Sequence, residues 1–156
     1  MKRINIWFYI FLIVTISSII LLVTGSPLLT LPLDEFHTIP LGTFITWLGM
    51  ISLPLTIFIG CREFRNPTTK LNRILSGFLK IIIVLGILWV PISYLLAGNL
   101  SFNFSEKDTF QGGQTAMIWF WRLSYGIGIG SISILIIYLI SLIFKKNKTG
   151  ANKELR

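Results

Sequence analysis

Ile4 to Thr24 is a 21-residue run without a single charged side chain, and three more long apolar stretches follow it: Leu41 to Gly60, Ile74 to Ala97 and Thr115 to Phe144. This repeated feature constrains the chain more than any motif does. A hydrocarbon core about 30 Å thick is crossed by about 20 residues of helix rising about 1.5 Å each, and each run meets that length. A secretory leader also starts with basic residues, here Lys2 and Arg3, but its apolar core spans only about 7–15 residues. No small-residue cleavage site closes the first run convincingly, so an uncleaved first helix is expected.

Composition leads to the same place. Charged residues make up 13% of the 156 positions and hydrophobic ones 53%, whereas a water-exposed domain usually carries about 25% charge. Too little polar surface remains to cover a soluble globule. Inside lipid the backbone must satisfy its own hydrogen bonds, which leaves helices or a closed barrel. Barrel strands alternate apolar and polar residues over about ten positions, and these runs are continuously apolar for twice that length. The expected fold class is an all-α membrane protein, a four-transmembrane-helix bundle of two tandem helical hairpins.

The spans fall at about 4–24, 41–60, 74–97 and 119–144, in a single domain covering 1–144, with a basic tail at 145–156. Lys80 stands early in the third span, where its alkyl stem reaches the headgroups. Arg122 stands early in the fourth apolar region, yet Leu123 to Phe144 alone gives 22 uncharged residues. Trp119 and Trp121 then suit an outer aromatic belt. The tail from Asn147 is polar, Lys-rich and expected to be unstructured.

Orientation follows from basic residues near the span ends. Lys2 and Arg3, then Arg62, Arg65, Lys70, Arg73 and Lys80, then Lys145, Lys146, Lys148, Lys153 and Arg156 make twelve on one side. The other side has Lys107 and Arg122, with the acids Asp34, Glu35, Glu106 and Asp108. Both termini and the middle loop are therefore expected in the cytoplasm. The net charge of +8 is explained by this segregation, and neither a motif nor a basic domain points to nucleic acid as a partner. Short loops, a basic tail and an uncleaved first helix favour a bacterial inner membrane.

Several features offer function beside a plainer role. Arg122 is placed to hold an anionic headgroup or pair with Asp34 or Glu35, or simply to reach the outer interface beside Trp119 and Trp121. Gly126 and Gly130 share one helix face and permit close backbone approach, with Ser124 and Gly128 on an adjoining face. The Gly-Ile-Gly-Ile-Gly run lacks the strand and turn of a dinucleotide site. Pro54 and Pro91 read as kinks rather than a broken midplane site. His37 and Cys61 are each alone of their kind, which excludes paired-cysteine chemistry and bis-histidine haem ligation within one chain. Leu100, Phe102 and Phe104 alternate as in a short strand. Asn99-Leu100-Ser101 and Asn103-Phe104-Ser105 match the glycosylation pattern, which matters only in a eukaryotic secretory membrane.

No Asp or Glu lies within a span, which disfavours a proton-coupled carrier. No phosphate-cradling motif appears, and no cofactor or metal is expected. Three readings follow: a non-enzymatic protein of the accessory-subunit or immunity/exclusion type, whose partner is another membrane protein or itself; an oligomeric pore or carrier using Thr15, Ser17, Ser18, Ser131 and Ser133; or a lipid-acting enzyme built on Asp34, Glu35, His37, Glu106 and Asp108. The first demands least of the residues present. Membrane lipid is a partner in all three.

Overall fold

The computed structural model describes residues 2–33, 39–100 and 110–154, with side chains over 6–33, 39–100 and 110–144. The described residues are helical, with no strand among them beyond one isolated bridge between Pro32 and Pro40. Helix α1 spans Lys2–Thr24, α2 Leu41–Gly60, α3 Arg62–Arg65, α4 Lys70–Ile87, α5 Trp89–Ala97 and α6 Gly113–Glu154. A 3₁₀ turn, Pro27–Thr30, follows α1. Three helices, α1, α2 and α6, are long and apolar enough to cross a membrane. The α4–α5 pair makes a fourth span if its two pieces, bent by 53°, cross together.

Each end has a local cause. Thr69 caps α4 by accepting from Asn72 N, which satisfies one of the helix's orphan donors. Gly98, at φ +75°, ends α5 in the left-handed conformation that glycine adopts without steric cost. The break at Leu88 comes three residues before Pro91 because proline has no N–H to give the carbonyl four residues earlier, that of Ile87. The third apolar run is thus two helices rather than one gently kinked span. Pro54, by contrast, lies buried inside an unbroken α2.

Helix α6 corrects one expectation. It continues past Phe144 through the polar segment to Glu154, so the tail from Asn147 is helical for most of its length. Lysines carry good helix propensity, and propagation from an existing helix costs no new nucleus.

Packing is centred on α2, which contacts α1, α4, α5 and α6. Helix α1 touches α2 and the 3₁₀ turn, and no other described element. Two apolar clusters fill the bundle. One joins Ile57, Phe64, Leu75, Leu79, Ile134 and Tyr138. The other joins Trp89, Ala97, Phe120 and Ile127. The outer surface is also apolar: Ile13, Val23, Leu95, Ile129 and Phe144 are each more than 60% exposed. Apolar area on this scale, spread over α1, α4, α5 and α6, suits lipid and not water.

Candidate functional site

The α1–α2 seam is built from small polar residues. Thr15 Oγ1 donates to Ser52 Oγ at 3.0 Å and lies 3.4 Å from Thr56 Oγ1. Ser18 Oγ donates to the Ile45 carbonyl at 3.2 Å, and a Cβ on Gly49 would come within 3.0 Å of the Ser18 Cβ. At the last residue of α2, Phe8 lies over Gly60 so closely that a Cβ there would meet its ring at 2.7 Å. The two backbones therefore run antiparallel and close, as small residues allow. Thr15 and Ser18, expected as pore-lining candidates, are spent on this seam. Ser17 is exposed.

At the α2–α4 crossing, two carbonyls deprived of their normal helical donors are both accommodated. Pro91 deprives Ile87 O of its partner, and the Trp47 indole Nε1 donates to it at 3.1 Å. Pro54 deprives Met50 O of its partner, and that oxygen faces Gly86 so tightly that a Cβ would meet it at 2.7 Å. Trp47 and Met50 are three residues apart and share a face of α2. The carbonyls freed by the two prolines thus lie at one crossing, one accepting from an indole and the other packed against a glycine.

Helix α6 buries Ala116, Phe120, Ser124, Ile127, Ser131, Ile134 and Tyr138, a four-and-three spacing that keeps one seam against its neighbours. Ser124 Oγ accepts from the Trp89 indole at 2.8 Å and donates to the Phe120 carbonyl at 2.9 Å. Ser131 Oγ donates to the Ile127 carbonyl. Gly130 sits against Ile82, which a Cβ would meet at 3.1 Å. Gly126 and Gly128 have nothing within 4 Å of a Cβ position. The Gly126–Gly130 pair is therefore divided: one packs on α4 and the other is open.

Arg122 is exposed on α6, its guanidinium carbon 5.2 Å from the Trp119 ring centre. Trp121 stacks on Tyr125 with centroids 5.3 Å apart. Asp34 and Glu35, the acids proposed to pair with Arg122, lie outside the described residues, as do His37, Glu106, Asp108, Phe102 and Phe104. Among the described residues, no three His, Cys, Asp or Glu side chains come together.

At the opposite end, α3 and the first turn of α4 form a polar corner. Glu63 Oε2 accepts from Thr68 Oγ1 at 2.8 Å and from Asn72 Nδ2 at 3.0 Å. Ser76 Oγ donates to the Phe64 carbonyl at 2.6 Å, fixing α3 beneath the bundle with Phe64 fully buried and 4.9 Å from Tyr138. Beside this corner lies an open cavity of about 460 Å³ between α4 and the last apolar turn of α6. Burial pushes the Cys61 thiol above its ordinary pKa.

Trp47, Ser52, Thr56, Gly86 and Trp89 were not singled out from the sequence. One signal was present: Gly49, Ser52 and Thr56 recur at three- and four-residue spacing along α2. No family model matches the chain, and no curated protein or solved structure does so.

Proposed function

We propose that this chain is a small polytopic membrane protein that acts without catalysis, by contact with another membrane protein or with a second copy of itself. In this reading α4 and α5 cross together, giving four spans, with both termini and the α2–α4 connection in the cytoplasm, in a plasma membrane of the bacterial inner-membrane kind. The twelve-to-two segregation of basic residues supports that orientation. The role is of the accessory-subunit or immunity/exclusion kind.

One observation carries the functional reading. Several side chains of the described bundle bond from one helix to the next, as in Thr15–Ser52, Trp47–Ile87 and Trp89–Ser124, and the hydroxyls of Thr56, Ser124 and Ser131 bond back to their own helix. Polar groups used in this way hold helices together and do not line a path for solute. What stays open is an outward face of α6 bearing Arg122, Gly126, Ile129 and Ser133. A small-residue face beside an interfacial arginine suits a partner helix.

A photocrosslinker placed at Gly126 in native membranes tests this. The expected result is one discrete adduct, with either a second copy or a single other membrane protein, that is absent when the probe sits at Ile13 on α1. A diffuse lipid-only product, together with solute flux in liposomes holding this protein alone, would favour the pore reading instead.

A further inference from the structure

We infer that the single turn of α3 seats the phosphate of an anionic phospholipid, with Arg65 as its anchor and Arg62 beside it. Arg65 is partly buried, and its Nε–H is buried with no hydrogen-bond partner among the described residues. A buried donor left in this state costs free energy, most of all on a charged group. Whatever relieves it must bring an acceptor. A guanidinium receives a phosphate in fork geometry, through parallel N–H bonds to two oxygens.

Depth identifies where that phosphate comes from. Helix α2 is long and apolar enough to cross a membrane and ends at Gly60. Arg62 and Arg65 follow directly in α3, where acyl chain gives way to headgroup. They are held at that level. Phe64 is fully buried with its ring 4.9 Å from that of Tyr138, and its carbonyl accepts from Ser76 Oγ on α4 at 2.6 Å. Arg62 and Arg65 are three apart on the helical turn and therefore share a face.

Charge selects the headgroup. Between Arg62 and Arg73 the chain carries Arg62, Arg65, Lys70 and Arg73 against one carboxylate, Glu63. Glu63 stands two residues from Arg65, so the two do not face each other on the turn. Its Oε2 accepts from Thr68 and Asn72 instead. Arg62, Lys70 and Arg73 are exposed, and cations beside a membrane add attraction for anionic lipid. This excess favours a phosphate whose charge no ammonium offsets. Phosphatidylglycerol has such a headgroup. Phosphatidylcholine carries the same phosphate with a cation attached, which the basic residues repel.

The test uses the full chain reconstituted in vesicles of equal parts phosphatidylglycerol and phosphatidylcholine, then extracted gently and weighed by native mass spectrometry. Retention of one phosphatidylglycerol, enriched about tenfold over phosphatidylcholine, is expected from one charge-assisted hydrogen bond. Arg65→Lys keeps the charge but removes Nε and the fork, and should cut the enrichment several-fold. Arg73→Lys makes the same exchange at an exposed position and should leave it unchanged. Inorganic phosphate added to the wild-type complex should not displace the lipid, whose acyl chains also hold it. Equal retention of the two lipids, displacement by inorganic phosphate, or the same response in both variants would overturn the site. The outcome is independent of whether a partner protein is found at Gly126.

Discussion

The Trp47 indole and the Ile87 carbonyl are 3.1 Å apart across the α2–α4 crossing, and the bond exists because Pro91 withholds the backbone donor that Ile87 would otherwise have. A side chain on one helix replaces a missing hydrogen bond on another. In lipid no water stands ready to do so, which makes the replacement costly to lose.

Trp47→Phe keeps the ring and removes the donor. Stability should fall by about 1–3 kcal/mol, the penalty for an acceptor left alone where lipid supplies no replacement donor. Pro91→Ala restores an N–H to Ile87, so Trp47→Phe should cost clearly less in that background. A double-mutant cycle in detergent unfolding reads the coupling; strict additivity would mean that the two residues act independently.

Glycines at two positions should respond in opposite senses to the same change. Gly86→Ala drives a methyl to within 2.7 Å of the Met50 carbonyl oxygen, which is backbone and cannot swing away. A loss of about 1–3 kcal/mol is expected from overpacking. Gly126→Ala meets nothing within 4 Å and should be neutral or gain up to about 1 kcal/mol from helix propensity. Thermal melts of the two variants side by side decide it.

Ser93 is fully buried on α5, and its hydroxyl has no hydrogen-bond partner. Ser93→Ala removes a desolvated polar group while leaving most of the packing, so stability should rise by about 1 kcal/mol. A drop in melting temperature would show that the hydroxyl is in fact satisfied in the membrane.

Cys61 lies one residue beyond α2, and burial raises its thiol pKa. A raised pKa means less thiolate at neutral pH, and the thiolate is the reacting form. Alkylation should therefore be slow at pH 7 relative to an unstructured cysteine and accelerate as pH rises toward the raised value. The same thiol reports topology. A membrane-impermeant maleimide should label it from the cytoplasmic side only, and labelling of intact cells from outside would reverse the proposed orientation.

The helices themselves were legible in the sequence, and their arrangement much less so. The expected span 41–60 coincides with α2, and 4–24 differs from α1 by two residues at the start. Pro91 was visible as an irregularity, but its effect falls at Leu88, because the missing donor acts four residues back. The α6 seam was hidden for a different reason. In a soluble helix, polar residues mark the outer face; here Ile129 outside and Ile127 inside are chemically the same. Core and lipid impose similar demands, so periodicity carries little signal. The glycine run drew attention to Gly126, while the buried contacts rest on Ser124, Ile127 and Ser131.

Helix α1 has one long neighbour, and that neighbour is made later. Thr15 and Ser18 precede in the chain the residues they meet, Ser52, Thr56, Ile45 and Gly49, so during synthesis they are complete before their partners are. Until then its small polar face is open to any other helix that offers matching residues. Assembly of this fold thus contains an interval in which the amino-terminal segment is free to choose a mate, and overproduction without α2 should trap it as a self-paired helix.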